Sequence, residues 1–373
     1  MSIKIASILQ ASGDGPGPQS PDHPIVISSR VRLARNLAKL PFPGWAKKTE
    51  RIRTMDEIKP EVDRLALMSE AFSEQLNDLT ALEKQVLVER HLISREHAAK
   101  GMGSAVVINP KQSISIMINE EDHLRMQAMR CGLALAETHK AIDDVDTALE
   151  AHLDFAFDAE LGYLTACPTN VGTGMRASAM VHLPGLVLSE QINQVVNSVN
   201  KIGLAVRGLY GEGTEAMGNL FQVSNQTTLG EKETQIIERL NKVIETLVQR
   251  ETQARENLRA TKRTMLMDQV GRAYGILTHA YSVSSKEALN LLSVMRLGID
   301  LGFFPEEGRI LINSLLMETQ PAHLQHFSQQ KLAAEERDHL RADIVREKLK
   351  NFPKPHIIKL SGDLPKGPAS ESQ

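Results

Sequence analysis

The sequence predicts an α+β protein in which an antiparallel sheet flanked by helices is followed by an all-helical C-terminal domain. Up to about residue 255, short β-prone runs are separated by Gly-, Pro- and Asn-rich turns that are too short for most helical crossovers, and this spacing favours antiparallel pairing. Beyond that point apolar residues repeat at helical spacing. We therefore expect a flexible leader at 1–24, an α+β domain at 25–255, a helical domain at 256–352 and a disordered tail at 353–373.

The composition argues against several classes of protein. The 373-residue chain has a formal net charge of −3, so general binding of nucleic acid or anionic membrane is not expected. No apolar run approaches the ~20 residues that span a bilayer, and the N-terminus has no basic-plus-apolar signal pattern. Cys131 and Cys167 lack metal-ligand spacing, and the chain is too large for a disulfide scaffold. These features predict a cytoplasmic protein without nucleic-acid or membrane partners.

The first clear element is a β-hairpin. Residues 104–109 and 113–118 are β-prone and flank the turn Pro110-Lys111-Gln112. A helix is predicted next, capped by Asn119 and amphipathic around Cys131. Its negatively charged first turn would contain Glu120, Glu121 and Asp122.

Further strands and helices follow from local patterns. Apolar residues repeat at helical spacing from Ile236 to Val248, and Ser284 with Glu287 predicts a capping box for a second helix. Residues 330–350 predict a highly charged helix. Shorter β-prone runs lie at 161–166, 177–183, 203–209 and 219–224.

Arginines recur in several short blocks. Residues 28–36 read SSRVRLARN, and in an extended strand Arg30 and Arg32 would lie on one face. Guanidinium groups bind phosphates bidentately and stay charged at physiological pH. A single arginine is more often a solvated surface residue, but a cluster favours phosphate binding. Since no G-x-x-x-x-G-K-[ST] loop is present, arginines must neutralise the phosphates of any bound nucleotide. The other arginines of the cluster are Arg125, Arg176 and Arg207.

Two carboxylates and one thiol are candidates for chemistry. Glu121 follows the hairpin directly, and Glu212 lies between two glycines that leave it uncovered. Taken alone, each is more often a helix-dipole or loop carboxylate. Cys167 ends a strand predicted to begin near Leu161; a lone cysteine is usually a small buried hydrophobe, but the neighbouring Arg176 favours a thiolate. Carboxylates that hold a cation, together with arginines that hold phosphates, indicate phosphoryl transfer onto a positively charged acceptor.

Four stretches resemble one family, the ATP:guanidino phosphotransferases or phosphagen kinases. They are SSRVRLARN, NEEDHLR, CPTNVGTGMRAS and RGLYGEG, and they occur in family order across roughly residues 25–255. The resemblance implies a phosphagen kinase-like catalytic domain that uses ATP, with Mg²⁺ held mainly by phosphates and water rather than by protein ligands. It also implies that Glu121 and Glu212 orient the acceptor guanidinium, that one of them accepts its proton, and that a Cys167 thiolate adds negative charge nearby.

The same resemblance implies an ATP site in which the arginines bind phosphates and stabilise charge in the transition state. The implied ATP-binding residues are Ser28, Ser29, Arg30, Val31, Arg32, His91, Arg125, Arg176, Ala177, Ser178, Ala179, Met180, Arg207, Gly208, Leu209, Tyr210, Gly211 and Glu212.

Two departures narrow the resemblance. Phosphagen kinases for free creatine or arginine carry a small helical domain before the SSRVR stretch, whereas 27 residues precede it here. A helical half also follows the catalytic stretch. Both features resemble the bacterial branch of the family that phosphorylates arginine residues in proteins, and they imply an open site that a protein side chain can enter.

The charged helix near the C-terminus carries a further match. Its RDHLRA stretch fits the R-D-x-x-R-A motif by which that branch recognises phosphoarginine as an allosteric ligand. By pattern alone a solvated helix is favoured, and the resemblance reverses that interpretation. The resemblance implies marking of proteins for a ClpC-type AAA+ unfoldase and protease under stress, a zinc-binding activator partner, and a homodimer formed through the helical half. The motif residues are Arg337, Asp338, His339, Leu340, Arg341 and Ala342.

Two alternatives remain open at the level of sequence. One is a catalytically silent phosphoarginine-binding adaptor, against which the presence of both carboxylates and the arginine set argues. The other is a kinase for a small free guanidino compound, against which the missing N-terminal helical domain argues.

Overall fold

One antiparallel sheet forms the centre of the first half of the chain. The computed structural model describes residues 5, 8–9, 23–208 and 216–356. Within these residues an eight-stranded sheet has the order β2-β3-β4-β5-β1-β8-β10-β9, and every neighbouring pair is antiparallel, which confirms the predicted sheet. The strands are β1 (Val26–Arg35), β2 (Phe72–Gln75), β3 (Ala105–Ile108), β4 (Ile114–Ile118), β5 (Leu124–Cys131), β6 (Phe157–Asp158), β7 (Gly162–Tyr163), β8 (Met175–His182), β9 (Leu204–Gly208) and β10 (Leu220–Asn225), of which β6 and β7 form a separate short ribbon.

Helices flank the sheet and build the region that follows it, as predicted for the C-terminal half. None of the described helices combines the length and apolar composition that a bilayer crossing requires. The helices are α1 (Lys48–Asp63), α2 (Ala81–Glu89), α3 (Arg95–Ala98), α4 (Leu135–Glu150), α5 (Pro184–Leu188), α6 (Ile192–Asn200), α7 (Glu233–Thr261), α8 (Arg263–His279), α9 (Ser285–Asp300), α10 (Gly308–Glu318), α11 (Pro321–Ser328) and α12 (Ala334–Leu349).

The helix predicted to begin at Asn119 is wrong. Residues 119–123 form the turn of a second hairpin, and Cys131 ends strand β5 rather than lying in a helix. Asn119 adopts a positive φ of 58°, and its side chain donates to the carbonyls of Arg51 and Gly103 at 2.8 and 2.7 Å instead of capping a helix. Asparagine is favoured both at helix caps and in turns, so the cap signal was ambiguous.

The other local predictions are mostly confirmed. The hairpin forms with β3 and β4, Ser284 caps α9 by accepting from the Glu287 N–H, and the charged helix is α12. Strands β8, β9 and β10 occupy the β-prone runs at 177–183, 203–209 and 219–224. The run at 161–166 is the exception, since only Gly162–Tyr163 is a strand there.

Two hydrophobic cores meet along helix α7. Residues of the sheet pack with α7 as far as Ala254, whereas Leu258, one turn further on, packs with the core of the helical half. The helix is continuous from Glu233 to Thr261, so it passes through the predicted division at residue 255 without a break. The predicted leader at 1–24 and tail at 353–373 lie largely outside the described residues.

Candidate active site

Strand register brings five arginines to one face of the sheet. Directly paired residues in an antiparallel sheet project from the same face, and residues two apart along a strand share a face. Arg32 on β1 pairs with Arg176 on β8, and Arg30 lies two residues away on β1. Ala34, two residues beyond Arg32 on β1, pairs with Arg125 on β5, so Arg125 shares this face. Gln222 of β10, which pairs with β8 on the same face, also pairs with Arg207 of β9, so Arg207 shares the face as well. We call Arg30, Arg32, Arg125, Arg176 and Arg207 the arginine face.

Positive charge on this face is poorly compensated. Burial and the neighbouring Arg125 and Arg176 lower the pKa of Arg30 from 12.5 to about 10, and burial with the same neighbours and Arg30 lowers the pKa of Arg32. Within the described part of the chain, the Nε atoms of Arg32 and Arg176 are buried and make no hydrogen bond. Arg30 donates to a neutral partner, the Gln222 Oε1, at 2.8 Å. Buried guanidinium groups without carboxylate partners are suited to a polyanion such as the phosphates of ATP.

His91 lies beside this face. Its backbone is in the left-handed region, with φ of 59°, and its carbonyl accepts from the Gln127 Nε2 at 2.7 Å. Burial and the charge of Arg30 lower the pKa of His91 from 6.5 to about 4. The ring is therefore neutral at physiological pH and adds no charge to the arginine face.

Other residues implied for the ATP site divide between the two faces of the sheet. Ser28, Ser178 and Met180 share the face of the arginines. Val31, Ala177 and Ala179 are buried in the core on the opposite face, and the Ser29 hydroxyl donates to the Gly132 carbonyl at 2.8 Å. The structure therefore limits the residues of this second group to backbone contact with a ligand on the arginine face. Arg207 and Gly208 end β9, whereas Leu209, Tyr210, Gly211 and Glu212 lie outside the described residues.

The turn between β4 and β5 holds carboxylates next to the arginine face. Glu120 is buried and accepts two hydrogen bonds from the Arg125 Nη1 at 2.7 and 2.6 Å, and one from the Ser94 hydroxyl. Burial opposes ionisation of Glu120, but Arg125 and Ser94 outweigh it and lower its pKa. Glu121 is exposed, and partial burial with the charges of Asp122 and Glu120 raises its pKa. Glu121 is thus more basic than Glu120.

Asp122 ties this turn to the segment that carries the candidate thiol. Its Oδ1 accepts from the Asn36 Nδ2 and from the Ala166 N–H, both at 2.6 Å. Cys167 follows directly, half-buried, with its Sγ 3.0 Å from the Thr169 Oγ1. Cys167 does not end a strand, because the segment after Tyr163 is irregular and leads into a single 3₁₀ turn at Pro168–Asn170. Negative charge on Cys167 would raise the pKa of Arg176, so the thiol and the guanidinium lie close enough to interact electrostatically.

Glycine in the CPTNVGTG stretch is required by backbone geometry. Gly174 has φ of +64°, and a side chain there would place its Cβ 2.6 Å from the Ala34 carbonyl oxygen. The Gly174 carbonyl in turn accepts from the Ala34 N–H at 2.9 Å. The close approach fixes the segment of Cys167 against the end of β1.

A cleft of about 760 Å³ opens beside the carboxylate turn. It is bounded on one side by the turn between β4 and β5 and on the other by the loop after β1. Arg125 belongs both to this cleft and to the arginine face. The cleft, which we call the acceptor cleft, is lined by Phe42, Gly44, Trp45, Glu96, Lys100, Glu120, Glu121, Arg125, Thr165 and Ala166.

Several of these residues escape sequence reasoning. Glu120, Asp122 and Asn36 form the hydrogen bonds that hold the turn. The predicted helix places Glu120 and Asp122 in its first turn as carboxylates near the helix dipole, and it gives Asn36 no role. A signal was present: Leu124, Met126 and Ala128 alternate with polar or larger residues, and this period of two indicates a strand. Trp45 carried no pattern that linked it to the site.

The arginines of the RDHLRA stretch have different environments on α12. Arg341 is 1% exposed, and its guanidinium donates to the carbonyls of Thr319 and Val283 at 2.9 and 2.8 Å and to the Ser285 hydroxyl at 2.6 Å. Asp338 also pairs with Arg341. Arg337 is half-buried and donates to the Leu332 carbonyl at 2.8 Å. The remaining residues are exposed His339, half-buried Leu340 and buried Ala342.

One other group of side chains has the spacing of metal ligands. His139, Asp143 and Glu233 place one ligand atom each within 4.8 Å of one another. The His139 Nε2 is already paired with the Glu233 Oε2 at 2.6 Å, and none of the three lines the acceptor cleft.

Buried arginine Nε atoms without hydrogen-bond partners among the described residues lie next to a carboxylate-lined cleft. This arrangement is typical of a phosphotransferase with a cationic acceptor. The profile of the ATP:guanido phosphotransferase C-terminal catalytic domain matches residues 54–254, and that of the protein-arginine kinase McsB C-terminal domain matches residues 263–360. The chain belongs to the ATP:guanido phosphotransferase family.

Curated relatives match nearly the whole chain. A protein-arginine kinase of Moorella thermoacetica is 49% identical over 339 residues, which cover 90% of this chain and 96% of the relative. A protein-arginine kinase of Symbiobacterium thermophilum is 47% identical over 339 residues, covering 90% of this chain and 95% of the relative.

Solved structures share the fold of the sheet half. The duplicated taurocyamine kinase of Schistosoma mansoni with bound transition-state analogue components superposes with a TM-score of 0.56 at 27% identity, over 62% of this chain and 34% of that one. The chain thus spans about a third of that protein. Lombricine kinase superposes with a TM-score of 0.55 at 24% identity, over 65% of this chain and 72% of that one, which shows likeness of fold.

Proposed function

We propose that this protein is a protein-arginine kinase that transfers the γ-phosphoryl group of ATP to a guanidinium nitrogen of arginine residues in proteins. The carrying observation is the position of Arg125. It lies on the arginine face and also binds Glu120 inside the acceptor cleft, so phosphate-binding and cation-binding groups adjoin. Relatives that carry the name protein-arginine kinase support this choice.

The reaction requires a proton acceptor near the acceptor nitrogen. The bond between the γ-phosphorus and the bridging oxygen breaks, a P–N bond forms, ADP leaves, and the nitrogen loses one proton. A guanidinium is a poor nucleophile because it is protonated and delocalised. Glu121 or Glu212 would orient it and accept the proton, and the raised pKa of Glu121 favours that role. A Cys167 thiolate would add negative charge beside the acceptor.

The arginine face would hold the triphosphate. Arg32 and Arg176 present buried Nε atoms without hydrogen-bond partners among the described residues, as a site built for phosphate requires. The same arginines would neutralise charge that develops during transfer. Mg²⁺ would be held mainly by phosphates and water rather than by protein side chains, and it would supply positive charge that offsets the charge of the phosphates.

An exposed acceptor carboxylate supports a protein substrate over a small free guanidino compound. Glu121 is exposed, and the cleft beside it opens to solvent where a side chain on a polypeptide can enter. A silent phosphoarginine-binding adaptor is less well supported, because a site for an arginine that is already phosphorylated needs no carboxylate to accept its proton, whereas Glu121 lines the cleft.

We further propose the regulation and partners that the family resemblance implies. Phosphoarginine would activate the enzyme through the RDHLRA stretch of α12, and the modified proteins would be targets of a ClpC-type AAA+ unfoldase and protease in the cytoplasm under stress. The RDHLRA stretch lies within residues 263–360, the region that matches the protein-arginine kinase McsB C-terminal domain. A homodimer through the helical half and a zinc-binding activator belong to the same proposal.

Mass spectrometry of a loosely folded acceptor protein, after incubation with the purified chain and MgATP, tests the proposed activity. Handling must avoid acid because a P–N bond is acid-labile. We expect phosphate on arginine with the native chain and near loss of it with Glu121→Gln or Glu212→Gln. Glu160→Gln, which changes an exposed glutamate outside the cleft, is the matched control. Phosphate on serine or threonine instead, or none despite ATP binding, would refute the proposal.

A further inference from the structure

The loop after β1 presents an aromatic side chain at the mouth of the acceptor cleft. Trp45 is the single tryptophan of the sequence, it is 90% exposed, and it lines the same cleft as Glu120 and Glu121. We propose that Trp45 binds the side chain next to the target arginine in a polypeptide acceptor and so determines which arginines are used. This inference rests on the proposed function and specifies its substrate class.

The loop that carries Trp45 is held in place by hydrogen bonds to buried groups. The Leu37 N–H donates to the His123 Nδ1 at 3.0 Å, and because Nδ1 accepts, the Nε2 donates to the Pro41 carbonyl at 3.0 Å. The Phe42 ring meets His123 edge-on at 6.0 Å, and the Phe42 carbonyl accepts from the N–H of Trp45 at 2.9 Å. The exposure of Trp45 is therefore a property of an ordered loop.

Trp45 is the most exposed aromatic residue in the part of the chain that the structure describes. Tyr281 has the Arg346 guanidinium 4.8 Å from its ring centre, and the Phe157 ring lies 5.2 Å from that of Tyr163. Within the described residues no ring or cation covers the indole of Trp45. Tryptophan offers a large apolar surface at low entropic cost and is enriched among residues that dominate binding.

The occupant follows from the chemistry of the cleft. The cleft lining has three glutamates, Glu96, Glu120 and Glu121, and two cations, Lys100 and Arg125. Glu120 is paired with Arg125, so Glu96 and Glu121 supply the negative charge that attracts a guanidinium. Trp45 at the mouth then meets what the guanidinium is attached to, namely the main chain and the neighbouring side chains. The complement of an exposed indole is an apolar or aromatic side chain. We therefore assign to this surface an extended polypeptide that has such a residue adjacent to the arginine, as unfolded segments expose.

Two acceptor peptides test the assignment, one with leucine and one with glycine on both sides of a single arginine. We expect the native enzyme to favour the leucine peptide by roughly tenfold in kcat/KM, as for loss of one well-packed contact. Trp45→Ala should abolish this preference, and the loss for the leucine peptide should appear mainly as a higher KM. Phe327→Ala, which removes an aromatic side chain that is 68% exposed and does not line the cleft, should retain the preference.

Three results would overturn the assignment. A preference that survives Trp45→Ala would show that the flanking residue binds elsewhere. An equal loss for both peptides would show that Trp45 acts on the guanidinium itself. Absence of any preference in the native enzyme would exclude the flanking contact.

Tryptophan fluorescence separates this inference from the proposed activity, because every photon emitted by tryptophan comes from Trp45. Titration with the leucine peptide should shift the emission to shorter wavelength, and the glycine peptide should shift it much less. A shift without phosphorylation would retain the binding surface and refute the kinase. Phosphorylation without a shift would support the kinase activity and refute the binding surface at Trp45.

Discussion

Arginine is used in opposite ways in the two halves of the molecule. In the helical half, buried Asp300 accepts from Arg255 at 2.7 Å and from Arg309 at 2.9 Å, and Arg296 lies 3.8 Å away. On the sheet, the buried Nε atoms of Arg32 and Arg176 find no partner among the described residues. A buried guanidinium is thus part of the scaffold where a carboxylate shares its charge, and part of the site where that charge is left for a ligand.

Removal of an arginine from the sheet should produce the largest functional effect. Arg32→Ala should lower kcat/KM by about 10³-fold, because it deletes one of the groups that bind and neutralise the transferred phosphate. The free energy of unfolding should change by less than about 1 kcal/mol, since the deletion also relieves repulsion from Arg30 and Arg176. Steady-state kinetics and denaturant unfolding measure the two effects. A large decrease in the free energy of unfolding, alongside the loss of activity, would show that Arg32 belongs to the scaffold.

Removal of the shared carboxylate from the helical half should have the reverse profile. Asp300→Ala leaves Arg255, Arg296 and Arg309 without this counter-charge, and it should lower the free energy of unfolding by about 3–5 kcal/mol. Urea unfolding measures this loss. Asp268→Ala breaks an exposed pair with Arg272 and should change stability by less than about 0.5 kcal/mol. A similar small change for both variants would contradict the contrast between the halves.

The RDHLRA stretch contains one arginine that belongs to the scaffold, Arg341, and one that is proposed to bind a ligand, Arg337. Arg341→Ala should destabilise the protein by about 2–4 kcal/mol, because the buried carbonyls of Val283 and Thr319 and the Ser285 hydroxyl lose their donor. Arg337→Ala should leave stability unchanged and blunt activation by phosphoarginine. Thermal unfolding and phosphoarginine-dependent activity distinguish the variants. A full response to phosphoarginine in Arg337→Ala would remove that residue from the proposed regulatory site.

The smallest expected effect is a shift in the pH profile. Because the pKa of Glu121 is raised, and a proton acceptor must be ionised, kcat/KM should fall as pH decreases through a value above that of an ordinary glutamate. The charge of Glu96 contributes to the raised pKa, so Glu96→Gln should move this acid limb to lower pH. Measurement of kcat/KM across pH 4–8 gives the position of the acid limb, and a shift of roughly half a pH unit is large enough to detect. An unmoved or upward-shifted limb would exclude Glu121 as the titrating group.

The sequence predicts those parts of the fold that depend on local pattern. Alternation along β1 places Arg30 and Arg32 on one face because a strand repeats every two residues. The meeting of Arg32 with Arg176 depends on strand register between residues that are 144 positions apart in the chain, which no local pattern encodes. The hydrogen bond between Asp122 and the Ala166 N–H is non-local in the same way.

The turn at Asn119 shows where local reasoning fails even at short range. An asparagine followed by acidic residues satisfies the preferences of a helix start and of a tight turn alike. The decision is made by the side chain of Asn119, which donates to carbonyls of Arg51 and Gly103 that only the folded chain supplies. Glu121, the proposed proton acceptor, therefore lies in a hairpin turn, where its neighbours Glu120 and Asp122 are both anchored.

Helix α7 contributes residues to both hydrophobic cores and so couples them. Its 29 residues extend for about 43 Å, and consecutive turns at Ala254 and Leu258 serve different cores. Glu251, which is buried in the same helix before Ala254, accepts from the N–H groups of Gly185 and Leu186 at 2.8 and 2.9 Å. Neither core can melt without exposing apolar surface of a helix that the other needs, so calorimetry should record a single heat-absorption peak. An allosteric signal from the helical half would then reach the sheet through a rigid body rather than through a linker.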